Sequence, residues 1–284
     1  MESFSSRVKQ ELSEINIWKN SNEIIAELYG YLLTSSDNKF VTENDYNINR
    51  FAKILKNLDY NNFSIQISGK NYIIEIKSFK KFKEIYGIQK FNEILNKSDE
   101  SITKALVRGA FLGRGSINNP KNGYHLDMIF DNVEYANVIK NELLKYNIDI
   151  KLLVDKNFVL YLKDGESISD FLAFIGAAKS VLNFEDERIV KEIRNNVNRL
   201  VNCETANLQK TINSSVEQIE NIKLIKEKKK FNSLSEAEQS IAELRLKNPE
   251  ASFKVLGEML KPAIGKTAVS YRFNNIKKLA DELR

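Results

Sequence analysis

Two segments of the chain carry apolar residues through several helical turns, and each has a glycine at the same place. One is "IIAELYGYLLTSSDN", with Gly30 inside it, and the other is "ITKALVRGAFLGRGS", with Gly109 at the matching position. The residues after each segment also match, since both halves read as strands, a helix, a strand pair and a further helix. We therefore interpret residues 1–180 as two copies of an αββαββα unit, at about 21–90 and 101–180.

The glycines in this pattern need a physical reason. "KALVRGAFLGRGSI" holds Gly109, Gly113 and Gly115 within seven residues, and a glycine inside a helix costs about 1 kcal/mol relative to alanine. If the two glycine-bearing helices pack together at a pseudo-twofold axis, Gly30 and Gly109 let their backbones approach closely. A phosphate-binding loop does not fit, because the spacing differs from G-x-G-x-x-G and no strand leads directly into the segment.

The C-terminal part of the chain predicts three short helices. Ser235 and Glu238 form a capping-box pattern at the start of the first helix, and Ser252 is a cap for the second. The third helix begins at Lys266, after the turn "KPAIG". The apolar residues on one side of this helix, which form its predicted core stripe, are Val269, Phe273, Ile276 and Ala280. The residues on the opposite face are Thr267, Tyr271, Asn274 and Lys278.

Modules of three helices present this outer face to the major groove of double-stranded DNA. The predicted DNA-binding residues are Lys266, Thr267, Ser270, Tyr271, Arg272, Asn274 and Lys278. A helical hairpin that packs on the body of its own protein is the alternative interpretation. The charge favours DNA, because residues 221–284 hold 14 lysine and arginine residues against 8 acidic ones, and such an excess indicates a polyanionic partner.

The composition excludes several classes of protein. The chain has 284 residues, enough for two domains, and its C-terminal segment supplies the whole net charge of +5. A single cysteine, Cys203, and a single histidine, His125, exclude a disulfide framework and argue against a zinc site. The N-terminus does not read as a signal peptide, and the longest apolar run, "FLAFIGAA", is too short to span a bilayer. We expect a cytoplasmic protein with no cofactor, no membrane contact and no small-molecule substrate.

The segment "VRGAFLGRGSI" resembles the second signature helix of the LAGLIDADG homing endonucleases, and this resemblance implies the duplicated αββαββα fold. In that family each signature helix ends in an acidic residue, and the pair holds a divalent metal at the DNA. Here Arg114 and Ser35 stand at the two acid positions, and Asp37 lies two residues beyond Ser35. Arginine binds no cation, and a lone serine hydroxyl is a poor metal ligand. The resemblance therefore implies a nuclease scaffold with no catalytic or metal-binding residues, and we expect no enzymatic activity.

The chain as a whole resembles the WhiA family of bacterial regulators, which join a degenerate LAGLIDADG domain to a helix-turn-helix. The segments that carry the resemblance are "SFSSRVKQEL", "RGAFLGRGSINNPKNGYHL", "NRLVNCETANLQKT" and "IAELRLKNPEASFKVLGEMLKPAIGKTAVSYRFNNI". They imply an α+β protein with a LAGLIDADG-like domain at 1–190, a helical linker at 191–232 and an all-α helix-turn-helix domain at 233–284. They also imply a DNA-binding transcription factor, associated with the nucleoid and tied to sporulation, or to cell division and chromosome segregation.

A long helical stretch without glycine or proline precedes the C-terminal module, and its polar side includes Arg199, Asn202 and Asn207. These residues are candidates for a second DNA contact, together with Arg114, which adds a basic side chain on the expected DNA-facing side of the N-terminal domain. An interdomain joint is the alternative for the three residues of the long helix, and the sequence does not separate the two.

Two other functions stay open at this point. One is an active homing endonuclease, which would need the acids that Ser35 and Arg114 replace. The other is an adaptor whose duplicated domain binds a protein, such as RNA polymerase or its sigma subunit, while DNA contact is secondary.

Overall fold

The structure is a computed structural model that describes residues 3–35, 37–95 and 99–284. The chain divides into two compact units between Glu192 and Ile193. The first unit contains helices and two sheets, and the second is helical. The predicted α+β class is therefore confirmed.

The first half of the N-terminal unit is built around three antiparallel strands. Its elements are α1 (Phe4–Ser13), α2 (Ser21–Thr34), β1 (Lys39–Thr42), α3 (Asp45–Asn57), β2 (Phe63–Ser68), β3 (Asn71–Ile76), α4 (Phe79–Tyr86) and α5 (Ile88–Leu95). The strands lie in the order β1-β3-β2, so the last strand is central.

The second half repeats this arrangement with one more strand. Its elements are α6 (Glu100–Arg114), β4 (Gly115–Ile117), β5 (Leu126–Phe130), α7 (Val133–Leu144), β6 (Lys151–Val154), β7 (Phe158–Leu162) and α8 (Gly165–Ile175). The antiparallel sheet has the order β4-β5-β7-β6. Strands β5, β6 and β7 thus occupy the places that β1, β2 and β3 have in the first sheet.

The predicted αββαββα order is confirmed for the second repeat and is wrong by one strand for the first. Among the described residues, only β1 lies between α2 and α3, where we predicted two strands. The cause is the length of the connection. Residues 35–44 separate α2 from α3, whereas residues 115–132 separate α6 from α7. The shorter connection holds one strand and its turns but not a strand pair.

Helices α2 and α6 pack closely against each other in the N-terminal unit, as the glycine pattern predicted. A Cβ atom at Gly30 would overlap the backbone oxygen of Leu106 on α6. A Cβ atom at Gly109 would overlap the backbone oxygen of Glu27 on α2. Any side chain at these two positions would push the helices apart, so the glycines are required for the close approach of the two backbones.

Each sheet buries one face under helices and leaves the other face open. In β5, Leu126, Met128 and Phe130 are fully buried. Asp127 and Ile129 alternate with them and lie on the opposite, partly exposed face. One face of each sheet is therefore at least partly exposed to solvent.

A cluster of charged side chains lies inside the N-terminal unit. It consists of Glu27 of α2, Arg50 of α3 and Arg108 of α6, and each is at most 5% exposed. Arg50 Nη2 donates to Glu27 Oε2 at 2.8 Å, and Arg50 Nε donates to Oε1. Arg50 Nη1 also donates to the carbonyl oxygens of Ser13 and Ile15, at 2.7 and 2.9 Å. The guanidinium of Arg50 therefore joins the end of α1 to both α2 and α3.

The C-terminal unit has its own core. Its elements are the latter part of α9 (Ala178–Glu227), a short 3₁₀ turn (Phe231–Ser233), α10 (Glu236–Lys247), α11 (Phe253–Glu258) and α12 (Lys266–Glu282). The buried apolar residues of this core are Ile222, Ile225, Leu234, Ile241, Ala242, Leu256, Val269, Phe273, Ile276 and Ala280. All four residues of the stripe predicted on α12 belong to it, and that prediction is confirmed.

The last turns of α9 contribute Ile222 and Ile225 to this core. This part of the segment predicted as a linker at 191–232 thus packs within the C-terminal unit, while the domain limits themselves stay predictions. Of the helices in the described parts of the chain, none is long and apolar enough to cross a lipid bilayer.

Candidate nucleic-acid interface

Helix α12 is held in place by the caps and the core of the C-terminal unit. Ser235 and Glu238 form a capping box at the start of α10, and Ser252 caps α11, so both predicted caps are confirmed. Phe273 of α12 stacks on Phe253 of α11 with ring centroids 5.4 Å apart. These contacts fix which side of α12 is buried and which side faces outward.

The outward side of α12 is polar and exposed. The residues on it are Thr267, Tyr271, Asn274 and Lys278, as the helical spacing predicted. Tyr271 is 67% exposed. No residue in the described part of the protein forms a hydrogen bond with the side chain of Tyr271 or Asn274. A phenol and an amide in this state can form hydrogen bonds with the edges of bases.

The other three predicted residues of α12 lie away from this face. Arg272 is half-buried, and its Nη1 donates to the carbonyl oxygen of Ala237 on α10 at 3.3 Å. Ser270 is half-buried, in a crevice that residues of α9 line and that Asn274 also borders, one turn further along the helix. Lys266 is exposed in the first turn of the helix. The structure thus places four of the predicted residues together and three on the flanks, and a DNA-binding role for all seven stays a prediction.

Two contacts that position α12 were missed by the sequence analysis. Asn275 Nδ2 donates to Glu238 Oε1 at 2.8 Å, and Lys277 Nζ pairs with Glu217 of α9 at 2.5 Å. Although partial burial raises the pKa of Glu238, the hydrogen bonds from Asn275 and Ser235 hold this pKa below its ordinary value. Glu238 and Asn275 are 37 residues apart, so no local pattern could have identified the pair.

Arg199, Asn202 and Asn207 lie on an exposed stretch of α9. Arg199 donates to Asn196, and Asn207 Nδ2 lies 3.7 Å from Cys203 Sγ. Both contacts are local to the helix, and the described residues offer these side chains no partner on another element. Their role as a second DNA contact stays a prediction.

The ends of α2 and α6 hold the residues that stand where a nuclease of this fold has acids. Ser35 Oγ donates to the carbonyl oxygen of Tyr31 at 2.7 Å, and Arg114 Nη1 pairs with Asp131 Oδ1 at 2.7 Å. Asp37 has a left-handed backbone, with φ of 53°. A divalent metal does not fit here, because Mg²⁺ and Ca²⁺ need several oxygen ligands, while the carboxylate beside Arg114 already pairs with a cation. The described residues contain no group of three His, Cys, Asp or Glu side chains that could hold a metal ion.

Comparison with known proteins shows which family the chain belongs to. The family model of the WhiA C-terminal HTH domain matches residues 197–280, and that of the WhiA LAGLIDADG-like domain matches residues 103–194. A protein of Clostridium botulinum (strain Hall) named probable cell division protein WhiA is 40% identical to this chain over 99% of both chains. The chain belongs to the WhiA family.

Two further relatives agree with this assignment. The WhiA protein of Clostridium acetobutylicum is 38% identical over 99% of this chain and 98% of its own. The crystal structure of full-length WhiA from Thermotoga maritima is 26% identical, covers 99% of both chains and has a TM-score of 0.60. The predicted family and the predicted fold, a LAGLIDADG-like domain followed by a helix-turn-helix, are both confirmed.

On the open sheet faces of this WhiA chain, the strands carry positive and negative side chains in equal number. On the first sheet, Lys39 of β1 lies opposite Glu75 of β3. On the second, Lys151 of β6 is two strands away from Asp127 of β5, which accepts a hydrogen bond from Ser116 at 2.8 Å. A surface that holds DNA through its phosphates needs an excess of lysine and arginine, and the strands of these two faces do not supply it.

Proposed function

We propose that this WhiA-family protein is a sequence-specific transcriptional regulator that reads double-stranded DNA with α12. The observation that carries the proposal is the exposed polar face of α12, on which Tyr271 and Asn274 have no partner within the described protein. An α-helix fits the major groove of B-DNA, and an asparagine amide can pair with an adenine through two hydrogen bonds. The matched WhiA helix-turn-helix domain supports the same use of this helix.

The charge distribution supports a partner rich in phosphate. Residues 221–284 carry 14 basic against 8 acidic side chains, and lysine and arginine contribute the sequence-independent part of DNA affinity. On α12 itself, Lys266 and Lys278 flank the uncharged polar residues. This order suits a helix whose ends contact phosphates and whose middle contacts bases.

The LAGLIDADG-like half, on this proposal, is not a nuclease. Metal-assisted cleavage requires acidic ligands at the ends of the two signature helices. Ser35 and Arg114 stand at those positions, and the guanidinium of Arg114 pairs with Asp131 at 2.7 Å. The proposed role of this half is to add contacts to the regulator and to perform no chemistry.

The biological setting is proposed from the relatives. The Clostridium proteins bear the name probable cell division protein WhiA. We place this protein at the nucleoid in the cytoplasm, where it would control genes of cell division, chromosome segregation or sporulation.

A second candidate function is that of an adaptor whose N-terminal unit binds a protein such as RNA polymerase or its sigma subunit. The balanced charge of the open sheet faces favours it, because such faces suit a protein partner better than a phosphate backbone. In this case DNA contact by α12 would be secondary.

The test is a selection of duplexes from a random pool by the full-length protein, followed by affinity measurements on a selected and a random duplex. Asn274→Ala should lose about 1–3 kcal/mol of discrimination between the two duplexes, because one base contact is removed. Its affinity for the random duplex should change little. Asn232→Ala, at an exposed position in the 3₁₀ turn, should behave like the wild type.

Equal losses on both duplexes would contradict base reading by Asn274. Failure to select any sequence, together with retention of RNA polymerase by the purified protein, would favour the adaptor.

A further inference from the structure

A cavity of about 380 Å³ lies inside the C-terminal unit, among α9, α10, α11 and α12. The residues that line it are Lys210, Thr211, Ser214, Arg245, Ser252, Phe253, Lys254 and Lys266. Four of these side chains are basic and three carry a hydroxyl group, and none of the described lining residues is acidic. A concave surface lined by charges of one sign concentrates ions of the opposite sign.

Arg245 is the unusual member of this set. Its side chain is 1% exposed, and its Nη1 donates to the carbonyl oxygens of Pro249 and Ala251, at 3.2 and 2.6 Å. Its Nε has no hydrogen-bond partner among the described residues. No carboxylate in the described part of the protein forms an ion pair with it.

A buried cation without a counter-ion is costly, and the cost falls when an anion binds nearby. Burial accordingly lowers the pKa of Arg245. The guanidinium is held by three carbonyl oxygens, the third being that of Asn248 at 3.4 Å. The ring centroids of Phe253 and Phe273 lie 5.9 and 5.5 Å from its Cζ atom. It therefore provides a fixed positive charge in the wall of the cavity.

The remaining polar groups are those that suit phosphate oxygens. Lys210, Lys254 and Lys266 are exposed at the rim, where each can present up to three donors. Ser252 accepts from the N–H group of Val255 as the cap of α11, so its hydroxyl hydrogen stays available to a ligand. Gly265, the residue before α12, provides no side-chain cap, and the N-terminus of this 17-residue helix lies beside Lys266.

We propose that this cavity binds a phosphoryl group. A phosphoryl group carries up to two negative charges and three acceptor oxygens, which match several cations and hydroxyl donors better than a single carboxylate does. Two sources supply a phosphate to this cavity. One is a phosphorylated small molecule, and the other is a backbone phosphate of bound DNA, which carries one negative charge and two non-bridging oxygens. For the DNA phosphate the proposal rests on the proposed function, and for the small molecule it is independent of it.

The experiment compares two double variants of the full-length protein. Lys210→Gln with Lys254→Gln removes two rim charges without touching the outward face of α12. Lys228→Gln with Lys247→Gln removes the same charge from exposed positions of the C-terminal unit outside the cavity. All four substitutions are on exposed side chains, and thermal unfolding checks that both variants fold.

The first measurement is calorimetric titration with sodium pyrophosphate at constant ionic strength. The second is the affinity for a selected DNA duplex at several salt concentrations. If a phosphorylated small molecule is the ligand, the cavity variant binds pyrophosphate at least tenfold more weakly than the control variant, and their duplex affinities agree. If a DNA phosphate is the ligand, the cavity variant binds the duplex more weakly than the control and its salt slope falls by about one unit.

The proposal is overturned if neither measurement separates the cavity variant from the control variant. Its failure is distinct from failure of the proposed function. If the cavity does not bind a phosphoryl group, the sequence selection and the effect of Asn274→Ala stay intact. If the protein does not read DNA, the selection fails, and the pyrophosphate titration is still a valid test.

Discussion

The guanidinium of Arg50 donates to both carboxylate oxygens of Glu27, and neither side chain is more than 3% exposed. Arg108 Nε lies 3.7 Å from the same carboxylate. One buried anion thus faces two buried cations, from helices of both repeats. Glu27 is also the residue whose backbone oxygen Gly109 approaches, so charge compensation and close packing occur at the same place on α2.

The first prediction concerns this cluster. Glu27→Gln removes the carboxylate that pairs with Arg50 and lies 3.7 Å from Arg108, and loss of a partner from a buried ion pair costs about 3–5 kcal/mol. We expect a loss of this order in the free energy of unfolding, measured by urea denaturation. Glu84→Gln on the exposed side of α4 is the matched control and should change it by less than about 0.5 kcal/mol. If both variants changed the free energy of unfolding by a similarly small amount, the carboxylate of Glu27 would not stabilise the buried arginines.

The second prediction separates two kinds of glycine contact between α2 and α6. Gly109→Ala places a methyl group on the backbone oxygen of Glu27, whereas Gly113→Ala places one on the side chain of Thr34. A side chain can rotate away and a helix backbone cannot. We expect Gly109→Ala to cost about 3 kcal/mol or more and Gly113→Ala clearly less, as measured by thermal unfolding. The reverse order would mean that the helices adjust more easily than Thr34 does.

The third prediction is a pH dependence of stability. Burial lowers the pKa of Lys9 to about 8, against an opposing effect from Asp127, while the unfolded chain keeps an ordinary value near 10.5. Between these two values the unfolded state binds more protons than the folded state, so stability from this group rises as the pH rises from about 8 to about 10.5. The penalty of the buried charge is fully present below pH 8.

Lys9→Met removes the titrating group and keeps much of its volume. At pH 7 the variant should have a larger free energy of unfolding than the wild type. This difference should shrink towards pH 10. A difference that does not change with pH would contradict the assigned cause.

The fourth prediction assigns most of the DNA affinity to residues 193–284. This unit has its own core and the basic excess, whereas the strands of the open sheet faces carry balanced charge. Titration of the full chain and of residues 193–284 and 1–192 against one selected duplex, at several salt concentrations, should give the C-terminal fragment a salt slope close to that of the full chain. If residues 1–192 alone matched the full chain in affinity and slope, the assignment would be wrong.

The fifth prediction is that the purified protein does not cut supercoiled DNA in the presence of Mg²⁺. Arg114 and Ser35 replace the acids, and Arg114 already engages Asp131. Agarose gels of plasmid DNA incubated with protein and metal provide the measurement. Cutting at a defined site that Asp37→Ala abolishes would overturn it.

The features of this fold that the sequence predicts are those that depend on residues close together in the chain. The core stripe of α12 and the caps at Ser235 and Ser252 are spaced by one or two helical turns, so their pattern is visible in a few residues. The approach of Gly30 to α6 was predictable for a different reason. Two similar segments implied a symmetric pair, and the glycines fitted its centre.

Contacts between residues far apart in the sequence could not be predicted in this way. Glu27 and Arg50 are 23 residues apart, and either one alone reads as a surface charge on an amphipathic helix. The apolar residues at the end of α9 resemble the exposed aliphatic residues earlier in the same helix, so nothing local marks Ile222 and Ile225 as core. The extra strand that we predicted in the first repeat came from assuming that the two copies have connections of equal length.

The lining of the phosphoryl-binding cavity could not be predicted from the sequence for the same reason. Lys210 and Lys254 come from different helices, and Arg245 looks like an ordinary basic residue in the last turn of α10. Only the fold brings them together. On the outward face of α12 the sequence was more informative, because one helix carries all four of its residues.

The glycine that allows close contact precedes the position where a homing endonuclease has its acid by five residues in each of the two helices α2 and α6, from Gly30 to Ser35 and from Gly109 to Arg114. At 1.5 Å per residue this is about 7.5 Å along the helix axis. The contact between the two helix backbones is therefore separate from the helix ends, where the nearest neighbour of Gly113 is the side chain of Thr34. The residues at the helix ends can therefore differ between related proteins without separating the two helix backbones, so the duplicated domain can keep its packing while its helix ends serve different roles.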